Sequence, residues 1–211
     1  MRIGILGSGN VARAFAAGFS AEGHQVMLGT RTPAQLQEWA NGLDAAMQVG
    51  TPAQTAAFGE LIVLAVAGVH AAAAIALAGP AHFAGKVVLD ATNPLDKSGD
   101  RPVLLGAPGT SGGELIQQAL PDARVVKAFN TVGYSHFYRP RFSGGPPDMF
   151  LCGNDPTARQ VVAGLCQDFG WHPVDVGGME VAHYLEATGM LWITLWRNTG
   201  EWDRAFKLLG R

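Results

Sequence analysis

Arg2-Ile-Gly-Ile-Leu6 running into Gly7-Ser8-Gly9-Asn10-Val11-Ala12 is the stretch on which the reading of this chain turns. A short apolar run with β character leads into a G-x-G-x-x-A loop. The loop opens directly into Asn10–Ala21, where Val11, Phe15 and Phe19 recur on one helical face. In such a unit Gly7 permits the tight turn, Gly9 lets a pyrophosphate approach the backbone, and the small Ala12 lets helix pack closely on strand. The amides at the start of the helix then face the phosphates. Alone, the glycine pattern is weak, because small residues also make ordinary turns. The second strand at Gln25-Val-Met-Leu28 supplies the context that dinucleotide binding requires.

Beyond this unit, apolar runs alternate with stretches of helical pattern. The spacing predicts helices over 33–41 (opened by Pro33 and stopped near Gly42), 70–77 and 113–120, and strands over 61–65, 86–90 and 124–129. After the loop Ser143-Gly-Gly-Pro-Pro147 it predicts strand 149–152, helix 156–169, strand 172–176 and a long apolar helix over 179–196. Strands that are continuously apolar rather than alternating signal a parallel sheet covered on both faces. The expected fold class is α/β: a Rossmann-type, doubly wound, mainly parallel sheet with a small C-terminal α/β extension. The expected division is a nucleotide-binding domain over 1–145 and the extension over 146–211.

Composition narrows the function classes. Only 15% of the 211 residues are charged, well under the roughly 25% of an average soluble domain, while 48% are hydrophobic, so the chain can bury a sizeable core. The net charge of -2 comes from both signs scattered along the chain, which leaves no basic footprint for nucleic acid. Cys152 and Cys166 are too few for a disulfide framework and lack metal-ligand spacing, so no metal is expected. The uncharged stretch 61–85 is long enough to cross a bilayer, yet it reads as a buried strand, a Gly68/His70 break and an alanine-rich helix ended by Pro80. No signal peptide is legible, and a cytoplasmic enzyme without a membrane partner is the expectation.

The end of the second strand selects the dinucleotide. An NAD site usually places Asp or Glu there to bind the ribose hydroxyls. This chain reads Gly29-Thr30-Arg31-Thr32 instead. No carboxylate repels a 2′-phosphate, Arg31 can pair with it, and Thr30 and Thr32 can donate hydroxyl hydrogen bonds. NADP(H) is therefore the expected cofactor. At the reacting end, Ala65-Val66-Ala67-Gly68 has side chains small enough for a nicotinamide to lie near the backbone. Asn93, Asn130 and Thr131, in Asp90-Ala-Thr-Asn-Pro94 and Lys127-Ala-Phe-Asn-Thr131, can bond a carboxamide or a second ring system. A turn at Asn93-Pro94 and a strand-end cap at Asn130 account for these residues equally well. His136 and His183, beside Tyr134 and Tyr184, are the best acid/base candidates, with packing or surface roles equally open.

On the loop 7–12, Thr30-Arg31, the two Asn-bearing segments and Ala182-His-Tyr-Leu-Glu186 with Met190-Leu-Trp-Ile193, the chain resembles the NADP oxidoreductases dependent on the deazaflavin coenzyme F420. It is also similar to the cytosolic domain of six-transmembrane metalloreductases. The resemblance implies hydride transfer between NADP(H) and a deazaflavin (F420) or flavin-type acceptor stacked over the nicotinamide. It implies that Ser8, Asn10 and Val11 line the pyrophosphate, Thr30 and Arg31 the 2′-phosphate, Val66 and Ala67 the nicotinamide, and Asn130 and Thr131 the acceptor. The extension 146–211 then completes the acceptor cleft. Two departures stand out: no lysine closely follows Arg31, which predicts a milder NADP preference, and Ala187-Thr-Gly189 replaces larger apolar residues and a proline.

With two ring cofactors the protein supplies proximity and orientation, so the lack of a catalytic dyad is expected. An NADPH-dependent flavin or ferric reductase is the neighbouring alternative, and a non-catalytic NADP(H)-binding redox sensor is the alternative of another class. A dehydrogenase of small carbonyl or imino acids is disfavoured, since the tail after residue 145 is short for a substrate domain. The apolar helix over 179–196 suggests a homodimer contact.

Overall fold

The computed structural model describes residues 1–41, 47–107 and 109–210; Gly42, expected to stop the second helix, lies outside them. Along the described residues the chain runs β1 (Arg2–Leu6), α1 (Asn10–Ala21), β2 (Gln25–Gly29), α2 (Pro33–Ala40), β3 (Met47–Gly50), α3 (Pro52–Phe58), β4 (Leu61–Leu64) and α4 (Ala71–Ala78). It continues with β5 (Val87–Asp90), β6 (Leu95–Asp96), β7 (Val103–Leu104), α5 (Gly112–Ala119), β8 (Arg124–Lys127), β9 (Asp148–Gly153), α6 (Pro156–Asp168), β10 (His172–Asp175) and α7 (Ala182–Thr199). The main sheet has the order β10-β9-β8-β5-β4-β1-β2-β3, while β6 and β7 form a separate hairpin. Its pairs are parallel except β8 with β9, so the Rossmann-type reading of the fold is correct.

The strands read as continuous apolar runs because each faces two cores. Ile3, Ile5, Val63, Leu89 and Val126 point to a core shared with α1, α2 and α6. Leu6, Ile62, Leu64, Val88 and Val125 point to a second core under α3, α4, α5 and α7. Side chains alternate faces along a strand, so only a sheet covered on both sides makes every position apolar.

An aromatic cluster closes the first core. The Phe15 ring lies 4.6 Å from Phe137 and 5.2 Å from Phe129. Phe169 adds a ring 5.8 Å from Phe129, and the Trp171 indole N–H donates to the Phe137 carbonyl at 2.8 Å. The cluster holds Phe129 at φ 62°, a left-handed conformation that bulky residues adopt only when their surroundings enforce it. That residue ends β8 at Lys127, two residues before the predicted end, and turns Asn130 out of the sheet.

The other differences are local. A 3-10 turn at Gly68–His70 precedes α4, and another at Met179–Val181 precedes α7, so both predicted helices start later. Helix α7 also runs on to Thr199 and stops at Gly200, whose φ of 72° is the left-handed C-cap glycine accepts without strain. The sequence reading did not anticipate β3, α3 or the β6–β7 hairpin. β3 is a four-residue edge strand, and α3 is a seven-residue helix set by a Thr51/Gln54 capping box. Among the described residues no helix is long and apolar enough to cross a membrane.

Phe15→Ala removes the ring at the centre of this cluster and should lower the unfolding free energy by about 3–5 kcal/mol, measured by urea denaturation.

Candidate functional site

The strand order reverses between β1 and β4, because β2 and β3 lie to one side of β1 and β4, β5 and β8 to the other. Such a reversal opens a crevice at the carboxyl ends of the strands. A cleft of about 360 Å³ lies there, walled by the Gly7-Ser8-Gly9 turn, by Thr30 and Arg31, and by Ala65, Val66 and Ala67. Gly7 has φ 142°, and a Cβ on it would lie 2.5 Å from the Ala65 carbonyl oxygen, so glycine is required. A Cβ on Gly9 would meet nothing within 4 Å, which leaves the floor of the turn open to a ligand.

Helix α1 starts at this turn with no side-chain cap and no acid in its first turn. Helices α3, α5 and α6 each carry a side-chain cap, while α2, α4 and α7, like α1, do not. An uncapped helix start that faces a cleft leaves free amides and the positive end of the helix dipole available to an anion. The turn is braced from outside: the Arg13 Nε donates to the Ser8 carbonyl at 3.1 Å, and its guanidinium lies 4.8 Å from the Trp39 ring centroid. Thr30 is nearly buried, and its Oγ1 accepts from the Thr32 amide at 3.3 Å, while Arg31 is exposed. His70, just before α4, and Ala73, Ala74 and Leu77 on α4 form a further wall. They were not foreseen; the signal was the run of small residues directly after β4.

A second cleft of about 400 Å³ lies on the other side of the first turn of α1. Val11, two residues after Gly9, lines it together with Asn93, Asn130, Tyr134, Gly189 and Trp192. Asn10 also turns this way, its side-chain amide donating to the Tyr134 hydroxyl at 3.2 Å. Neither Asn10 nor Val11 is thus among the side chains lining the first cleft. Asn93 and Asn130 are locked together: Asn93 Nδ2 donates to the Asn130 carbonyl at 2.7 Å, and Asn130 Nδ2 donates to Asn93 Oδ1 at 2.9 Å and to the Leu185 carbonyl at 3.0 Å. A Cβ on Gly189 would lie 2.6 Å from the Asn130 carbonyl oxygen. The small residue in Ala187-Thr-Gly189 therefore lets α7 approach this amide pair. Thr131 is buried beside Asn130 and does not line the cleft.

At the carboxyl ends of β5 and β8 lies an ionic centre that sequence reasoning missed. The Lys127 ammonium is 2.6 Å from Asp90 and 3.1 Å from Glu186, and all three side chains are fully buried. It also donates to the Thr92 carbonyl at 2.8 Å. Asp90 accepts from the Thr92 amide and hydroxyl, and Glu186 from the Gly112 and Gly113 amides at the start of α5. Burial alone would pull the lysine pKa down, but the two carboxylates outweigh it and hold the ammonium above its ordinary value of 10.5. All three residues lie inside the motifs of the resemblance; their sequence separation hid the contact.

His136 and His183 line neither cleft. His136 Nε2 is 3.0 Å from Asp203, and His183 lies on α7 with its ring 6.0 Å from Tyr184. Burial pushes the Cys152 thiol up to about 12 and Cys166 higher still, so neither is a thiolate nucleophile near neutral pH. Among the described residues no three of His, Cys, Asp and Glu are placed to hold a metal ion.

Comparison with known proteins agrees with this geometry. Residues 2–94 match the family described as NADP oxidoreductase, coenzyme F420-dependent. A crystal structure of a provisionally assigned F420-dependent NADP reductase from Arthrobacter sp. FB24 superposes with a TM-score of 0.94 at 34% identity, covering 100% of both chains. The F420-dependent NADP reductase of Methanocaldococcus jannaschii is 33% identical over 114 residues, 53% of this chain and 51% of that one. The rat (Rattus norvegicus) Metalloreductase STEAP3 is 28% identical over 197 residues, 93% of this chain, and this chain spans only 38% of its length. The chain belongs to the family of F420-dependent NADP oxidoreductases.

Lys127→Met leaves two carboxylates buried without their cation and should cost about 3–5 kcal/mol in urea unfolding. The raised lysine pKa also sets a pH window. Its stabilisation should be fully present below pH 10.5 and disappear as pH rises through the shifted value, so the gap between wild type and variant should narrow only in strong alkali.

Proposed function

With that membership as premise, we propose that this protein transfers a hydride between NADP(H) and a deazaflavin (F420) or flavin-type acceptor. The observation that carries the reading is a cleft at the reversal of strand order with an uncapped helix start, accompanied by a second cleft, reached by Val11 of the same helix, that is walled by amides and aromatic rings. Gly7, Ser8, Gly9 and the α1 amides hold the pyrophosphate. Arg31, with Thr30 and Thr32, holds the 2′-phosphate. Ala65, Val66 and Ala67 present a wall without bulk to the nicotinamide. The Asn93–Asn130 pair fixes the border between the two ring sites, and the segment 146–211 closes the acceptor side through α7. Two copies pair through the exposed Tyr184 and Leu191 on α7, which sedimentation would test.

When bound, NADPH would supply a hydride to the oxidised acceptor ring, which would take a proton from solvent to give NADP⁺ and the two-electron-reduced acceptor. The protein's own part is positioning. Holding two rings at about 3–3.5 Å accounts for roughly 7–11 kcal/mol of barrier without a side-chain proton donor. The similarity to metalloreductases supports a second reading, in which the ring acceptor is a flavin that passes its electrons singly to ferric iron as substrate.

Anaerobic mixing of the protein with NADPH and oxidised deazaflavin should bleach the visible absorbance of the latter, with much slower bleaching by NADH. No bleaching with any ring acceptor, while NADPH still binds, would move the reading to a nucleotide sensor. Arg31→Asp should weaken NADPH binding about 10- to 100-fold through loss of a charge-assisted contact and barely change NADH binding. Equal losses for both would overturn the assigned role of Arg31.

A further inference from the structure

Residues 200–210 contain no helix or strand, yet they are fastened along their length. Gly200 turns the chain back at the end of α7. The Trp192 indole donates to the Arg204 carbonyl at 2.8 Å, and Asp203 meets His136 at 3.0 Å. The Asp148 amide donates to the Phe206 carbonyl at 3.0 Å, and the Asp148 carboxylate accepts from the Leu208 amide at 2.6 Å. Lys207 ties the strap to the Gly144 and Pro146 carbonyls, each at 2.9 Å.

What this strap delivers is Trp202. Its indole lines the second cleft and packs edgewise on Tyr134, Trp192 and Trp196, with centroids 5.8, 4.8 and 4.9 Å away. The indole N–H is committed to Ser135 Oγ at 2.6 Å, so the ring offers a ligand apolar aromatic contact rather than a hydrogen bond. A second observation comes from Gly133. Its φ of -70° and ψ of 140° suit any residue, yet a Cβ there would lie 2.5–2.6 Å from three indole atoms. Glycine at 133 makes room for this ring and answers no need of the backbone.

We propose that Trp202 is an acceptor-binding residue of the second cleft, a wall delivered by the strap against which a flat multi-ring acceptor packs. The inference rests on the hydride-transfer reading above and adds a residue that holds the acceptor ring. Trp202 does not line the first cleft, so its effect falls on the acceptor and spares NADPH.

The test compares wild type, Trp202→Ala, Trp202→Phe and Gly133→Ala, each as the full chain and each checked for fold by circular dichroism. Kd for NADPH is read by fluorescence titration, and kcat and KM are measured with oxidised deazaflavin and with FMN. KM for the ring acceptors should rise about tenfold in Trp202→Ala, the scale of one lost aromatic contact, with NADPH affinity unchanged. Gly133→Ala keeps the tryptophan but displaces its ring and should raise KM in the same way, while Trp202→Phe keeps an aromatic wall and recovers most of the loss. If Trp202→Ala does not fold, Gly133→Ala carries the comparison. Unchanged KM in the alanine variants beside an active wild type would overturn this inference and leave the hydride-transfer reading intact. A wild type that binds NADPH but neither binds nor reduces a ring acceptor would overturn both.

Discussion

The contact between the Lys127 ammonium and the Asp90 and Glu186 carboxylates is the constraint around which the clefts are built. It joins the ends of two neighbouring strands, β5 and β8, to the C-terminal helix α7 and the start of α5. Withdrawing three charges from water is expensive, and it is tolerable only where every remaining donor and acceptor is used. Here the second negative charge is met by the Gly112 and Gly113 amides at a helix start, where the dipole favours it. Any slide of α7 along the sheet would expose a bare charge to a dry interior. The ionic centre therefore holds α7 in one register, and that register places Gly189 against the Asn93–Asn130 pair.

A second support works from the other face of the sheet. Phe129 sits in a left-handed conformation that costs of order 1–3 kcal/mol, and the aromatic cluster of Phe15, Phe137, Phe169 and Trp171 holds it there. Between Lys127 and Asn130 the chain thus passes from a buried ion pair, through a strained buried ring, to the amide that borders the cleft. Each residue of that segment answers to a different layer of the molecule. Local strain and buried charge are concentrated at the carboxyl ends of the strands, where the sheet offers its ligand crevice.

Much of the fold was legible because its physics is local. The loop 7–12 follows one strand and opens one helix within a dozen residues, and α1 spans the residues that the periodicity of Val11, Phe15 and Phe19 indicates. Pro156 at the start of α6 and Gly29-Thr30-Arg31 after β2 are likewise signals of neighbouring residues. β3 and α3 escaped because an edge strand of mixed polarity and a one-capped helix of seven residues carry little periodic signal. Of the candidate site, the glycine turn, the Arg31 end and the Ala65–Ala67 wall line the first cleft. Thr32 is exposed and not among the residues lining that cleft, Thr131 is buried beside Asn130, and His136 serves the strap.

The sequence by itself determined the doubly wound sheet, the nucleotide turn and the absence of an acid after β2, since each depends on residues a few positions apart. Tertiary structure alone decided that Asp90, Lys127 and Glu186 meet, that Asn10 turns toward Tyr134, and that Trp202 reaches the second cleft. Asp90 and Glu186 are 96 positions apart, and Trp202 packs on Gly133 across 69. A chain carries no local mark of such contacts, because what makes them favourable is exclusion of water by the assembled layers.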